Sequence, residues 1–188
     1  MDIYPKVMSL IRNIIFDTDI GCDCDDAVAL AMINYYKNIG KANVLATTQT
    51  TSIKNGGNVI SVINNFYGNS EIPVGCISSE SFLSEDSYDH YATRVVEKFG
   101  CKKIDFIDSI KLLRKQLSSA EDDSVTVIIV GPAKNISLLL DSGPDELSEY
   151  SGEELKQYAN DLATLGQDVA RTRKFCASVY SNMHKESV

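Results

Sequence analysis

The sequence has no apolar run approaching the length that spans a bilayer, and its first twelve residues, MDIYPKVMSLIR, lack the continuous apolar stretch of a secretory leader. Those absences point to a cytoplasmic protein with no membrane partner. A cationic face is missing too: 18 Lys and Arg against 26 Asp and Glu leave a formal charge of −8, which excludes nucleic acid as the main partner because phosphate binding needs clustered basic residues. Neither GxGxxG nor GxxxxGKS/T occurs, which disfavours a dinucleotide or a nucleoside triphosphate. The five cysteines (Cys22, Cys24, Cys76, Cys101, Cys176) include no CxxC pair, so neither a disulfide framework nor a zinc site is implied, and Cys22 and Cys24 read as reduced structural thiols. Histidine is scarce, and His90 and His184 both read as surface residues.

What is present describes one soluble α/β domain over 1–188: 44% hydrophobic and 23% charged residues are enough to build a core. A short apolar run at Asn13–Phe16 precedes a helical pattern from Asp26 to about Tyr36. A β-rich run at Val44–Thr48 then precedes a helical pattern over Asn55–Tyr67. A strand follows at Ile72–Cys76, then a helical region between about Tyr88 and Leu117. The unbroken apolar run Val125–Val130 (VTVIIV) suits a central strand covered on both faces. Gly131 and Pro132 end that run, and Lys134–Leu140 has the spacing of a short helix. Such alternation predicts a mostly parallel sheet flanked by helices. Beyond Asp141 the pattern weakens to a turn and an acidic helix, and Gln167–Met183 is helix-permissive without a partner strand. The sheet is therefore expected to be incomplete at its C-terminal end, with an exposed edge that invites self-association into a homo-oligomer.

Asp17, Asp19, Asp23, Asp25 and Asp26 place five carboxylates within ten residues, directly after the first strand and before a helix. In an open parallel sheet that position lines the ligand crevice. Like charges held this close repel, and the direct relief is a hard divalent cation such as Ca²⁺, with Mg²⁺ preferring fewer protein ligands. Gly21 supplies a sharp turn that lets Asp19 face back toward Asp25 and Asp26. Capping of the helix would employ one carboxylate and leave Asp17, Asp19 and Asp23 unexplained. An EF-hand counted from Asp17 would need Gly and Glu where Cys22 and Val28 stand. A Mg²⁺-dependent phosphatase of the haloacid-dehalogenase type, with Asp17 as nucleophile and Asp19 as acid, matches both aspartates of DxDxT/V but lacks the following Thr or Val.

The string DTDIGCDCDDAVALAM resembles the signature of the inosine-uridine-preferring nucleoside hydrolase family, in a form with two extra residues between the Gly and the final Asp pair. Two later segments resemble family blocks in the same order: Asn64–Asn69 through Glu71–Gly75, and Ile128–Asn135. The resemblance covers about Asn13 to Leu147, leaving 148–188 as a divergent tail. It implies a nucleoside-hydrolase-like α/β fold, bound Ca²⁺, and cleavage of the N-glycosidic bond of a ribonucleoside to ribose and free base. Asp19 resembles the aspartate that binds calcium and acts as base toward water, and Asp26 the second, bidentate ligand. Asp25 resembles the residue on the ribose hydroxyls, a part that Asp23 could also take. The carbonyl of Val130 falls where the family draws a main-chain ligand, and Asp17 is expected to order the loop through backbone hydrogen bonds.

The chain departs from the pattern in three places. Family members are longer and take a further calcium-ligating Asp, usually beside a His, from their second half, and nothing here matches it. The residues after Thr47-Thr48 read Gln49-Thr50-Thr51-Ser52 where the family often has a ribose-contacting Asn. No leaving-group acid is assigned. The alternative to a working hydrolase is therefore a catalytically inactive or partner-dependent fragment of the same fold.

Overall fold

The computed structural model describes residues 11–78, 82–84, 88–101 and 106–155. Five parallel strands, β1 (Arg12–Thr18), β2 (Ala42–Gln49), β3 (Val74–Cys76), β4 (Ile107–Asp108) and β5 (Val125–Ile129), form one sheet in the order β4-β3-β2-β1-β5. The helices are α1 (Asp25–Asn38), α2 (Gly56–Phe66), α3 (Ala92–Phe99), α4 (Ser109–Ser118), α5 (Lys134–Asp141) and α6 (Gly152–Leu155). No described helix is long and apolar enough to cross a membrane.

The period of two along β1 sorts its side chains between two layers. Ile14 and Phe16 pack with Leu30 and Ile33 of α1 and Val59 and Ile60 of α2, while Ile15 packs with Leu112 and Leu113 of α4 and Ile136 and Leu139 of α5. Strand β2 carries an irregularity: Ile14 pairs with Val44 but Ile15 with Ala46, so Leu45 is an extra residue. That bulge inverts the parity, which is why Ala42 and Val44 face the first layer and Ala46 the second.

Buried polar ties hold the layers in register. Asn34 of α1 donates to Asn64 of α2 (2.8 Å) and accepts from Asn69 (2.8 Å), so two asparagines of the 64–69 block join helix to helix, away from the acidic loop. Arg114 of α4, 1% exposed, organises the turn that follows α5. Its guanidinium is bidentate on Asp145 (2.8 and 3.1 Å) and also donates to Ser142 Oγ and to the carbonyls of Ser148 and Tyr150.

Two expectations are corrected. Among the described residues the run Val125–Val130 is not central but at the sheet edge: β5 pairs only with β1, Thr126, Ile128 and Ile129 are half-buried, and Val130 is 42% exposed. Apolar character alone does not reveal which neighbours a strand will have. The helical region from Tyr88 to Leu117 is interrupted. Gly100, at φ 71°, ends α3, and β4 intervenes before Asp108 caps α4 by accepting from the Lys111 amide at 3.0 Å. The helical readings for Gln167–Met183, and His184, lie outside the described residues.

Strand order places the site. From β1 the chain steps to β2, β3 and β4 on one side, then returns to set β5 on the other side of β1. In such a sheet the crevice opens beyond the carboxyl ends of the strands where the order reverses. Here that is between β1 and β5, between the acidic loop and the turn at Val130–Pro132.

Candidate metal centre at the switch point

Asp17 stands at the end of β1, completely buried. Its Oδ1 accepts from Thr48 Oγ1 at 2.6 Å and Asn135 Nδ2 at 2.7 Å, and its Oδ2 has no hydrogen-bond partner among the described residues. Burial pushes this carboxyl up to about 7, the two hydrogen bonds pull it back in part, and the charges of Asp19 and Asp26 raise it further. Side chains hold Asp17, rather than the backbone hydrogen bonds expected. Its main-chain carbonyl does accept from the Val130 amide, at 3.0 Å, fastening β1 to the end of β5.

Thr18 was passed over by sequence reasoning. Its hydroxyl donates to Asp26 Oδ1 at 2.5 Å and accepts from the Ile20 amide at 3.2 Å, so one threonine joins the strand end to the first turn of α1. Gly21, at φ 130°, makes the expected sharp turn, and a Cβ there would lie 2.4 Å from Ile53 Cδ1. The Gly21 carbonyl accepts from the His90 and Tyr91 amides (2.9 and 3.3 Å), which sets a second segment beside the loop. His90 is exposed, as expected, yet close enough for its charge to act on Asp23, a proximity with no signature in sequence.

Asp19 is half-buried, and burial followed by repulsion from Asp26 raises its carboxyl to about 6. Asp26 is buried and also raised, by burial first and despite the Thr18 bond. The Asp19 and Asp26 carboxyls are close enough to share a hydrogen bond. Asp23 and Asp25 are exposed, and their mutual hydrogen bond raises Asp23. Among the described residues, the ligand atoms of Asp23, Asp25 and Asp26 lie within 4.8 Å of one another. Asp26 is thus the hub, facing Asp19 on one side and the exposed pair on the other. Capping does not account for the pair Asp25 and Asp26: the cap position is Cys24, with no side-chain cap bond.

The turn after β5 presses against this cluster. A Cβ on Gly131 would lie 2.5 Å from Asp19 Oδ1 and 2.8 Å from both Asp19 Cγ and the Asp19 amide nitrogen, so only glycine allows that approach, and it brings Val130 beside the loop. A donor set of carboxylate oxygens, with Asp26 buried, Asp19 half-buried and Asp23 and Asp25 exposed, fits a hard divalent cation and not a thiolate-selected metal. Cys22, Cys24 and Cys76 are free, and burial with the surrounding aspartates pushes the Cys22 thiol up, away from a reactive thiolate. A groove of about 1410 Å³ runs instead along α1, α2 and α3, lined by Ala27, Val28, Ile63, Phe66 and Phe99, and meets the acidic loop at Cys24. Its walls are mostly apolar, and Glu71 is the carboxylate among its described lining residues.

No family model matches the chain, and no curated protein matches it in sequence. Among solved structures the fold is similar to that of a plant nucleoside hydrolase, the PpNRh1 enzyme, with a TM-score of 0.51 and 18% identity over 69% of this chain. The chain spans 42% of the length of that enzyme. At this level of identity the likeness establishes architecture, and the architecture is nucleoside-hydrolase-like: a parallel sheet flanked by helices, with a metal-competent acidic cluster at the carboxyl end of its first strand.

Proposed function

We propose that this chain hydrolyses the N-glycosidic bond of ribonucleosides, giving ribose and free base, with Ca²⁺ held at the acidic loop. The observation that carries the reading is the coincidence of the five-carboxylate loop with the switch point of a nucleoside-hydrolase-like sheet. Asp19, Asp26 and the Val130 carbonyl are the proposed ligands. Asp25 or Asp23 accepts from ribose hydroxyls in this reading, which their exposure supports. A bound Ca²⁺ would supply the positive charge that lets these carboxylates ionise together and would make a nearby water more acidic. Asp19 orients that water and takes its proton, and the surrounding carboxylate oxygens stabilise positive charge developing on the ribosyl group. Free thiols in the loop agree with the reducing cytoplasm as its compartment.

The second reading is a non-catalytic or partner-dependent form of the fold. A phosphatase with Asp17 as nucleophile is disfavoured, because a completely buried carboxylate whose Oδ1 holds two hydrogen bonds cannot reach a phosphate ester. The deciding experiment incubates the chain with a panel of ribonucleosides, with and without Ca²⁺, and measures free ribose. Calcium-dependent release that is lost in Asp19→Asn supports the hydrolase. Calcium binding without release supports the second reading, and neither binding nor release overturns both.

A further inference from the structure

The side chain of Asn135 is wholly buried in the first turn of α5 and makes three contacts at once. Its Nδ2 donates to Asp17 Oδ1 at 2.7 Å and to the Gln49 carbonyl at 3.2 Å, and its Oδ1 accepts from Ser109 Oγ at 2.7 Å. Its main-chain amide reaches Thr50 Oγ1 at 3.4 Å, while Thr50 donates to the Pro132 carbonyl at 3.0 Å. One residue therefore ties the ends of β1 and β2 to the starts of α4 and α5. The chemistry demands this side chain: two donated bonds and one accepted bond from a short planar group are within reach of Asn, whereas Asp lacks the donors and Ala or Leu lacks both functions.

We propose that Asn135 is a positioning residue for the acidic loop, setting Asp19 and Asp26 against the Val130–Gly131 turn without touching ligand itself. The proposal rests on reading that loop as the functional site. Its lever is Asp17, which Asn135 holds two residues before Asp19 and whose carbonyl is bonded to the Val130 amide. Releasing that carboxylate frees both walls of the crevice together, because the Gly131 backbone is seated directly on Asp19.

Amide hydrogen exchange and Ca²⁺ titration on the full chain test this with Asn135→Ala and the exchanged pair Asp17→Asn/Asn135→Asp. The exchanged pair keeps a bond between positions 17 and 135 with donor and acceptor reversed and places the carboxylate at a helix start; it gives up the longer 3.2 Å bond to the Gln49 carbonyl, so rescue reads the 17–135 bond alone. In Asn135→Ala, exchange over 18–26 and 130–133 is expected to rise about tenfold while that of Val59 and Ile60 in α2 stays put, and Ca²⁺ affinity to fall about tenfold or more. The exchanged pair is expected to restore both to within about threefold, a rescue that mere core packing would not give. Unchanged loop exchange in Asn135→Ala overturns the proposal, as does a rise spread evenly into α2 or an exchanged pair as loose as the alanine variant. If Asn135→Ala does not fold, the exchanged pair decides: parent-like loop exchange supports the proposal, and a loosened loop or loss of folding overturns it. A parent chain that binds no Ca²⁺ counts against the functional reading alone, since the exchange data still decide what Asn135 does.

Discussion

The completely buried Asp17 should make the metal-free protein less stable as the solution becomes more alkaline, opposite to the usual behaviour of a paired carboxylate. Its carboxyl is raised from 3.8 to about 7, with burial as the main cause. Between those values the folded chain binds a proton that the unfolded chain does not. Stability from this group is therefore fullest below pH 4 and is lost as pH rises to about 7. A displacement of about three pKa units corresponds to about 4 kcal/mol across that window. Asp17→Asn removes the titration and retains Oδ1 as acceptor for both Thr48 and Asn135. The new amide leaves donors unpaired where Oδ2 was orphaned, a cost present at every pH and absent from the difference between two pH values.

The assay is urea unfolding in a chelator at pH 4, 6 and 8, for parent and Asp17→Asn. Asp19 and Asp26 titrate in both proteins and largely cancel in the comparison. The parent should lose about 4 kcal/mol more than the variant between pH 4 and pH 8, a Tm difference of about 8–16 °C for a domain of this size. Parallel pH profiles would refute the reasoning. They would mean that Asp17 is solvated, or countered by a positive charge, in a way inconsistent with complete burial.

Other perturbations separate the site from its scaffold. Ca²⁺ should raise the Tm of the parent more at pH 8 than at pH 5, because the raised carboxyls of Asp19 and Asp26 must ionise to bind it; equal shifts at both pH values, read by thermal scanning, would place the cation elsewhere. Gly131→Ala should cost about 1–3 kcal/mol by overpacking and weaken Ca²⁺ binding measured by calorimetry, since the added Cβ meets the Asp19 backbone as well as its carboxyl. Arg114→Met should lower stability by about 1–3 kcal/mol, because it removes the bidentate partner of Asp145 and the side-chain donor to the Ser148 and Tyr150 carbonyls, although Ser148 O keeps the Asp145 amide. Ca²⁺ affinity should be untouched, because the turn that Arg114 holds belongs to the α4–α5 side, remote from Asp26.

What could be read from sequence was whatever is local. The apolar spacing of β1, α1, β2 and α2 follows from periods of 2 and 3.6 and needs no partner to be recognised, and the carboxylates of the loop are adjacent in the chain. What escaped was long-range. The bond from Asn135 to Asp17 spans 118 positions, and nothing near either residue announces the other. The edge position of β5 among the described residues depends on where the chain crosses back over β1, while VTVIIV describes only the strand's own apolarity. Nothing local in the helical region between Tyr88 and Leu117 sets Arg114 apart. Its burial is permitted only by acceptors gathered from 142–150, beyond any local window. Thr18 lay within the motif but was eclipsed by its acidic neighbours, and because it stands six residues before the Cys24 cap position and bonds the Asp26 side chain, no capping pattern marks it.

The arrangement also explains why a fold would retain so unfavourable a loop. Asp17 is buried with one oxygen unpartnered among the described residues, Asp19 is raised by burial and by the charge of Asp26, and Asp26 by burial and by the charges of Asp25 and Asp23. A sequence selected for stability alone would relieve this with amides, which fit the same hydrogen bonds. Instead Thr18, Thr48 and Asn135 spend their donors holding the carboxylates in place, and Gly131 gives up a side chain so that the β5 turn can reach Asp19. Repulsion held rigid in this way becomes favourable when a cation enters, because the site has no reorganisation left to make. The same preorganisation couples binding to folding: the cation stabilises the chain most where, without it, the ionised loop destabilises it most.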